Sequence, residues 1–218
     1  DVREQLGIPS EQSFFGDDGN NTFSGSKMND YIWGNKGDDT LKGGYGSDTY
    51  LFNMGDGKDY ISEGSSNAGD IDTLRFGEGI RPEDVILQRK ITNGLSANDR
   101  LIISFRDSTD SITIDNFFTA ERYQVEAVIF ADGTVWDVDT IKTRLLEGND
   151  DAQTITTYDE GHEIHAAAGN DAVTGGAGID LLYGEAGDDT LKGGNNDDRL
   201  YGGEGNDTLD GGNGADTL

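Results

Sequence analysis

Residues 175–210 read GGAGIDLLY, GEAGDDTLK, GGNNDDRLY and GGEGNDTLD, four nonapeptides in direct succession. Each unit has a glycine-rich first half, a carboxylate at position six and an apolar residue at position eight. The side chains on either side of the apolar residue are expected to point outward. Such alternation is typical of a strand about three residues long. Glycine, and Asn196 where it replaces glycine at position four, tolerates the positive φ of a tight turn. Every unit is therefore predicted to be one turn and one short strand.

The nine-residue period extends beyond these four units and occurs in two blocks. Position eight is apolar throughout, at Phe14, Phe23, Ile32, Leu41 and Tyr50 in the first block and at Ile155, Ile164, Val173, Leu182, Leu191, Leu200, Leu209 and Leu218 in the second. Two residues earlier stand Asn21, Asp30, Asp39 and Asp48, and Asp171, Asp180, Asp189, Asp198, Asp207 and Asp216. After Tyr50 the register slips, but Asp59 with Ile61 and Asp72 with Leu74 keep the same spacing. We therefore expect the first repeat block to continue to about residue 77.

Two nonapeptides, each a turn and a strand, make one coil, so side chains two units apart are expected to stack in one sheet. One apolar residue in nine makes a thin core. Stacked aspartates repel one another unless a cation lies between them. Oxygen ligands in flexible loops favour Ca²⁺ over Zn²⁺ or Mg²⁺, and the pattern therefore predicts calcium between the coils.

The composition of the chain also indicates that it needs bound cations to fold. The 218 residues include 33 glycines and have a formal net charge of −27, with only 33% apolar residues. A chain of this kind is close to the disordered class unless something offsets its charge and its conformational entropy. The negative charge argues against nucleic acid as a partner, and the absence of cysteine excludes disulfides and thiolate metal sites.

Glycine content divides the chain, since residues 78–147 contain only 3 of the 33 glycines. We predict an N-terminal lead-in at residues 1–15, a first β-roll at 16–77, a small β-rich domain at 78–147 and a second β-roll at 148–218, truncated at its C-terminus. In the middle domain, strands are expected at 85–91, 101–105, 111–114, 125–130 and 134–136. Asp132-Gly133 predicts a hairpin, and the spacing after Asp137 predicts a short helix. The expected fold class is thus dominated by β-structure, with two parallel β-roll solenoids.

The nonapeptide GGxGxDxUx, where U is apolar, resembles the repeat of RTX (repeats-in-toxin) proteins. The stretches IDNFF (114–118) and VIFADGTVWD (128–137) resemble the haemolysin-type calcium-binding-related domain found beside such repeats. The RTX resemblance implies a parallel β-roll in which each Ca²⁺ lies between the turns of adjacent coils. One turn supplies carbonyls of positions one and three with its aspartate, and the turn one coil later supplies carbonyls of positions two and four with its own.

Transferred to this chain, the resemblance implies sites between aspartates one coil, or two nonapeptides, apart. In the first block the paired side chains are Asn21 with Asp39 and Asp30 with Asp48, and Asp59 and Asp72 are further candidates. In the second block the pairs are Asp171 with Asp189, Asp180 with Asp198, Asp189 with Asp207, and Asp198 with Asp216. The expected carbonyl donors are Gly25, Lys27, Gly34, Lys36, Gly43, Gly175, Ala177, Gly184, Ala186, Gly193, Asn195, Gly202 and Glu204. About four to eight ions are expected. Gln153 and His162 stand at position six without a carboxylate, which predicts weak sites or none in residues 148–165.

Other functions are less well supported by the sequence. His162 and His165 alone leave a zinc site short of ligands. The chain has no nucleophile elbow, zinc-binding helix or phosphate loop, so we expect no intrinsic catalysis. No apolar run approaches the length that a membrane-spanning helix needs, so none is expected. No signal-peptide pattern occurs at the N-terminus.

The family resemblance implies a secreted, extracellular bacterial protein that folds on binding Ca²⁺ outside the cell and leaves it through type I secretion machinery. The parent protein would then be a toxin, an adhesin or an exoenzyme. The alternative is a recognition module for a host glycan or protein, with Ca²⁺ only structural. Tyr183 and Tyr201, one coil apart at position nine, are candidates for such a surface.

Overall fold

A computed structural model describes residues 13–64, 69–92 and 98–218. The predicted lead-in at 1–15 lies almost wholly outside the described residues. Contacts divide the chain into a first unit, residues 1–141, and a second unit, residues 142–218. The two units are described separately below.

The first unit is built from short strands joined by turns. Its strands are β1 (Ser13–Phe15), β2 (Thr22–Ser24), β3 (Tyr31–Trp33), β4 (Thr40–Lys42), β5 (Thr49–Phe52), β6 (Lys58–Ile61), β7 (Thr73–Phe76), β8 (Val85–Thr92), β9 (Asn98–Phe105), β10 (Ser111–Ile114), β11 (Ala127–Ile129) and β12 (Val135–Asp137). Two 3-10 turns span Pro82–Asp84 and Glu121–Tyr123. A single α-helix among the described residues, α1 (Val138–Arg144), follows β12.

These strands form two six-stranded sheets with the orders β1-β3-β5-β7-β11-β12 and β2-β4-β6-β10-β9-β8. Successive strands of the coils alternate between the sheets, and each pairs in parallel with the strand one coil later, as Phe14 does with Ile32 and Phe23 with Leu41. The spacing then widens, with Leu41 opposite Ile61 and Tyr50 opposite Leu74. The predicted continuation of the coils beyond Tyr50 therefore includes longer turns.

Residues 78–137 extend both sheets of the coils. Strand β10 pairs in parallel with β6, and β11 pairs in parallel with β7. Antiparallel strands then complete the sheets, β9 and β8 beside β10 and β12 beside β11. The two sheets run across residue 77 without a break. The division of this part of the chain into a β-roll at 16–77 and a separate domain from 78 onward therefore stays a prediction.

The core of the first unit is apolar side chains from position eight together with aromatic rings from the added strands. Phe52 stacks on Phe105 with ring centroids 5.5 Å apart, and Phe76 contacts Phe130 at 5.2 Å. The added strands thus thicken a core that one side chain per nine residues would leave thin.

The hairpin and the helix form where the sequence predicts them. Gly133, with φ of 89°, turns the chain between β11 and β12, and Phe130 N–H donates to the Thr134 carbonyl. Helix α1 begins after Asp137, whose Oδ1 accepts a 2.8 Å hydrogen bond from Thr140 N–H. This is an N-terminal capping interaction.

The second unit keeps a strict register of two nonapeptides per coil, with Val173 opposite Leu191 and Leu182 opposite Leu200. Its strands are β13 (Thr154–Thr156), β14 (Glu163–His165), β15 (Ala172–Thr174), β16 (Leu181–Ala186), β17 (Thr190–Asn195), β18 (Arg199–Glu204) and β19 (Thr208–Asn213). They form two parallel sheets, β13-β15-β17-β19 and β14-β16-β18. Asn196 has φ of 72°, as predicted for its turn. The mostly β fold of stacked coils confirms the predicted fold class.

Two facing rows of apolar side chains, one from each sheet, form the core of the second unit. The buried members are Ile155, Ile164, Ala166, Val173, Leu182, Leu191 and Leu200. All except Ala166 come from position eight. Because the strand flanks point outward, the core contains little else.

Candidate calcium sites

The position-six carboxylates form a ladder along each sheet of coils. Asp171 N–H donates to Asp189 Oδ1 at 2.8 Å, and Asp189 N–H donates to Asp207 Oδ1 at 3.0 Å. The same bond recurs from Asn21 to Asp39, Asp30 to Asp48, Asp39 to Asp59, Asp48 to Asp72, Gln153 to Asp171, His162 to Asp180, Asp180 to Asp198 and Asp198 to Asp216. Every pair of position-six residues predicted from the sequence is thus joined by a direct contact, and the second carboxylate of each pair is held by the coil before it.

The second carboxylate oxygen lies in the turn of its own unit. Asp30 Oδ2 accepts from Ser26 N–H at 2.5 Å, and Asp180 Oδ2 accepts from Gly176 N–H at 3.1 Å. Asn21 Oδ1 makes the corresponding contact with Asp17 N–H. Position six therefore shapes the glycine turn as well as joining the coils.

In most coils that second oxygen is buried without a hydrogen-bond partner. The affected atoms are Oδ2 of Asp39, Asp48, Asp59, Asp171, Asp189 and Asp198. A buried carboxylate oxygen with no partner is costly. Repeated along both units, this arrangement points to a positively charged ligand beside the oxygens.

Carbonyl oxygens of glycines lie beside these same position-six carboxylate oxygens. A Cβ added to Gly193 would overlap Asp198 Oδ2 and lie 2.6 Å from the Gly211 carbonyl oxygen. A Cβ on Gly25 would likewise meet the Gly43 carbonyl and Asp30 Oδ2. A side chain at position one would collide with these oxygens and with carbon atoms beside them, so glycine is required there. A cradle of carboxylate and carbonyl oxygens suits Ca²⁺, which takes six to eight oxygen ligands at about 2.3–2.6 Å.

Burial makes several of these carboxylates hard to ionise in the absence of a cation. Desolvation raises the pKa of Asp48 to about 7 and the pKa values of Asp59 and Asp72 to about 8. It also raises the pKa values of Asp39 and Asp171, and that of Asp198. A bound divalent cation would favour the ionised form instead.

The predicted carbonyl donors fall into two groups. Those at position one are Gly25, Gly34, Gly43, Gly175, Gly184, Gly193 and Gly202, each with a carboxylate oxygen where its Cβ would lie. Those at position three are Lys27, Lys36, Ala177, Ala186, Asn195 and Glu204. Among these, the Ala186 and Glu204 carbonyls already accept backbone N–H bonds from Gly169 and Gly187. A carbonyl has two lone pairs, so their role as calcium ligands stays a prediction.

Gln153 and His162 occupy the ladder without adding a carboxylate. Gln153 Oε1 accepts from Asn149 N–H at 2.8 Å, which copies the turn contact of an aspartate. The His162 ring lies against Tyr158, while His165 Nδ1 lies 2.6 Å from Glu185 Oε1. The two histidines thus have separate neighbours, and the coil at 148–165 keeps its shape with fewer charges.

Two acidic residues that the repeat pattern does not include also join the ladders. Glu63 is 3% exposed and accepts a hydrogen bond from the Tyr50 hydroxyl. Glu126 Oε2 accepts from Asp72 N–H at 2.6 Å, the contact that a further aspartate would make. Glu63 has no apolar residue two positions later, and no glycine-rich turn precedes Glu126. The nine-residue period therefore gave no signal for either of them.

Comparison with protein families matches the repeats to known ones. The RTX calcium-binding nonapeptide repeat matches residues 15–50, 165–198 and 183–218. This chain contains RTX calcium-binding repeats. The haemolysin-type calcium binding protein related domain matches residues 101–140, within the segment that extends the sheets of the first RTX block. Both predicted resemblances are confirmed, and calcium is the ligand that the RTX repeats bind.

Two individual proteins resemble the RTX chain. It is 34% identical over 124 residues to the iron-regulated protein FrpA of Neisseria meningitidis serogroup C, a match covering 56% of this chain and 10% of that protein. The chain therefore spans about a tenth of the length of this curated relative. The crystal structure of the extracellular lipase LipA from Serratia marcescens is 18% identical, with a TM-score of 0.23, over 90% of this chain and 32% of that one. Within the described part of the chain, no helix is long and apolar enough to cross a membrane.

Proposed function

We propose that this RTX chain is a calcium-dependent folding module of a secreted bacterial protein, unfolded inside the cell and folded outside it. The observation that carries the proposal is the row of buried, unpartnered carboxylate oxygens opposite glycine carbonyls. Without a cation each of these oxygens disfavours the folded state. With one, the same oxygens become the contacts that hold adjacent coils together.

Charge and core size make folding depend on the ion. The chain has a formal net charge of −27, and the core of the second unit is only two short rows of buried apolar side chains. Such a core offsets little of the conformational entropy of a glycine-rich chain. Cations neutralise the ladder and supply the missing stabilisation.

The calcium gradient across a cell envelope sets the direction of this switch. Extracellular calcium modules have dissociation constants of about 10⁻⁴–10⁻³ M, so the sites stay empty at cytosolic calcium and fill outside. At ten times the dissociation constant, each independent site adds about 1.4 kcal/mol. Four to eight sites would then contribute roughly 6 to 11 kcal/mol, as much as the stability of a whole domain.

This behaviour suits export as an unfolded chain through type I secretion machinery, followed by folding in the medium. The parent protein, a toxin, an adhesin or an exoenzyme, would gain a module that stays unfolded inside the cell and folds outside it. The module itself carries no proposed catalytic residue.

A far-UV circular dichroism titration tests the proposal, from chelator to 10 mM Ca²⁺ with Mg²⁺ as the control. We expect a cooperative gain of β-structure at high micromolar to millimolar Ca²⁺ and none with Mg²⁺. A chain that is fully folded in chelator and unchanged by Ca²⁺ would rule out the folding switch.

A second candidate function is recognition of a glycan or protein, and one observation favours it. His165, Tyr183 and Tyr201 form an outer stack, with ring centroids 4.5 and 5.1 Å apart and ring planes within 14° of parallel. Stacked rings cover one another's faces, so a sugar could lie only on the open face of Tyr201 or along the ring edges. The test is glycan-array binding of the calcium-loaded chain. Binding that is unchanged in Tyr183→Ala and Tyr201→Ala would exclude this surface.

A further inference from the structure

The strongest unexplained feature is a buried group of three carboxylates in the first unit. Asp48, Glu63 and Asp72 are 0%, 3% and 1% exposed, and each offers an oxygen within 4.8 Å of the others. Among the described residues, no lysine or arginine forms an ion pair with any of the three. Three buried negative charges without a counter-ion strongly disfavour the folded state.

Glu63 reaches this group from the position where a repeat would have glycine. Leu41 lies opposite Ile61 in the sheet, so two residues later Gly43 lies opposite Glu63. In the regular coils a position-one glycine faces another glycine, as Gly25 faces Gly43. From 63 to 72 the sequence reads EGSSNAGDID, which lacks a GGxG turn. The Glu63 side chain therefore enters space where a regular coil has only backbone carbonyls.

The hydrogen bonds leave specific oxygens free. Asp48 Oδ1 accepts from Asp30 N–H and Asp72 Oδ1 accepts from Asp48 N–H, both at 2.8 Å. Glu63 Oε1 accepts from the Tyr50 hydroxyl, which fixes the side chain in place. Asp48 Oδ2 and Glu63 Oε2 are buried and have no partner. Two buried, unsatisfied carboxylate oxygens in one small space are ligands of the kind that a hard divalent cation binds.

We propose that Glu63 is a cation ligand that, with Asp48 and Asp72, closes the last calcium site of the first unit. This roll-end site has three carboxylates where a repeat site has two. Since ligand charge tunes calcium affinity, it fills at lower Ca²⁺ than the repeat sites do. The inference rests on the proposed calcium-binding function but adds a ligand that the repeat pattern does not contain.

The test compares Glu63→Gln with Glu78→Gln in the full chain. Glutamine keeps an oxygen for the Tyr50 hydroxyl and removes one charge, and Glu78 is an exposed glutamate of the same unit. Isothermal titration with Ca²⁺ should show that Glu63→Gln loses one ion per chain or binds its tightest ion at least tenfold more weakly. Glu78→Gln should match the unmodified chain.

Thermal stability separates ligation from simple packing. In chelator, with enough stabilising osmolyte added to fold the chain, Glu63→Gln should melt no lower than the unmodified chain, because it removes a buried repulsion. In saturating Ca²⁺ it should melt lower. A shift of the same sign and size in both conditions, with an unchanged number of bound ions, would overturn the proposal.

If Glu63→Gln fails to fold, crystals of the unmodified chain soaked in Tb³⁺ decide the matter. An anomalous difference peak beside Glu63 Oε2 is expected. Peaks at the repeat sites and none beside Glu63 would overturn this inference and leave the proposed function intact. If no cation binds anywhere, both fail.

Discussion

The two repeat blocks differ in their regularity. In the second unit, position-six residues are 18 apart throughout, from Gln153 to Asp207 and from His162 to Asp216. In the first unit the spacing widens to 20 between Asp39 and Asp59 and to 24 between Asp48 and Asp72. The regular block repeats one contact, whereas the irregular block ends in strands and side chains from outside the repeat.

The difference shows how a β-roll can be terminated. Where the spacing widens, β10 and β11 take over the sheet pairing, and Glu126 takes over the ladder contact beyond Asp72. The added strands cover the last carboxylates, which is why burial raises the pKa values of Asp59 and Asp72 to about 8. A change of spacing therefore marks the place where the repeated ladder contact gives way to strands and side chains from outside the repeat.

The largest expected effect is the loss of hydrogen-exchange protection when calcium is removed. Hydrogen exchange in chelator should show complete loss of protection in β15–β19, because the core of the second unit is only two short rows of apolar side chains. Strands β8–β10 should keep a larger share of theirs, since Phe105 packs among Phe52 and Phe76. The comparison between 10 mM Ca²⁺ and chelator is read peptide by peptide. Equal loss in both regions would remove the proposed difference between the units.

A smaller effect is expected when the glycine at position one of a single candidate calcium site is replaced by alanine. Gly193→Ala should abolish one ion or weaken its binding at least tenfold, because the new Cβ would overlap Asp198 Oδ2. The backbone at Gly193 is not in the left-handed region, so the change does not strain φ. Gly64→Ala is the control, since among the described residues other than its chain neighbours its Cβ would meet only Tyr123, at 3.9 Å. Equal calcium isotherms for the two variants would show that position one does not form the site.

The calcium-free first unit should respond to pH in an unusual direction. Burial raises the pKa of Asp48 and Glu63 to about 7, and those of Asp59 and Asp72 to about 8. The folded state therefore binds protons more tightly than the unfolded chain, and its stability falls as pH rises from about 4 to 8. Both tryptophans, Trp33 and Trp136, lie in this unit, so a melt followed by their fluorescence reports it alone. In calcium-free buffer that contains enough stabilising osmolyte to fold the chain, the melting temperature should be higher at pH 6 than at pH 8; the reverse order would contradict the prediction.

The smallest effect concerns the outer face of the second unit. The Glu185 carboxylate, with Glu163, raises the pKa of His165 above its usual value. The ion pair stabilises the fold at low pH, and its contribution is lost as pH rises through that raised pKa. Because the pair is exposed, it is worth no more than about 1 kcal/mol. An NMR titration of His165 in saturating Ca²⁺ should show a lower pKa in Glu185→Gln, and an unchanged pKa would exclude the pairing.

The sequence predicted the features that repeat. Asp171, Asp189 and Leu191 are visible from the period alone, and so is the positive φ of Asn196. Glu63 and Glu126 are not, because their contacts depend on how many residues the longer turns contain. The sequence likewise indicated strands near 111–114 and 125–130, but not that they would join the sheets of the coils. Parallel pairing between strands so distant in sequence leaves no local signal.

The carboxylate ladder makes every junction between regular coils interchangeable. Each junction consists of the same backbone N–H to Oδ1 contact from one coil to the next, as from Asp171 to Asp189 and from Asp180 to Asp198. Duplication of one whole coil, such as 184–201, would therefore add one strand to each sheet and preserve the contacts on both sides. The roll would lengthen by one strand spacing, about 4.8 Å. A coil could therefore be gained or lost in frame without any compensating change in the contacts between the remaining coils.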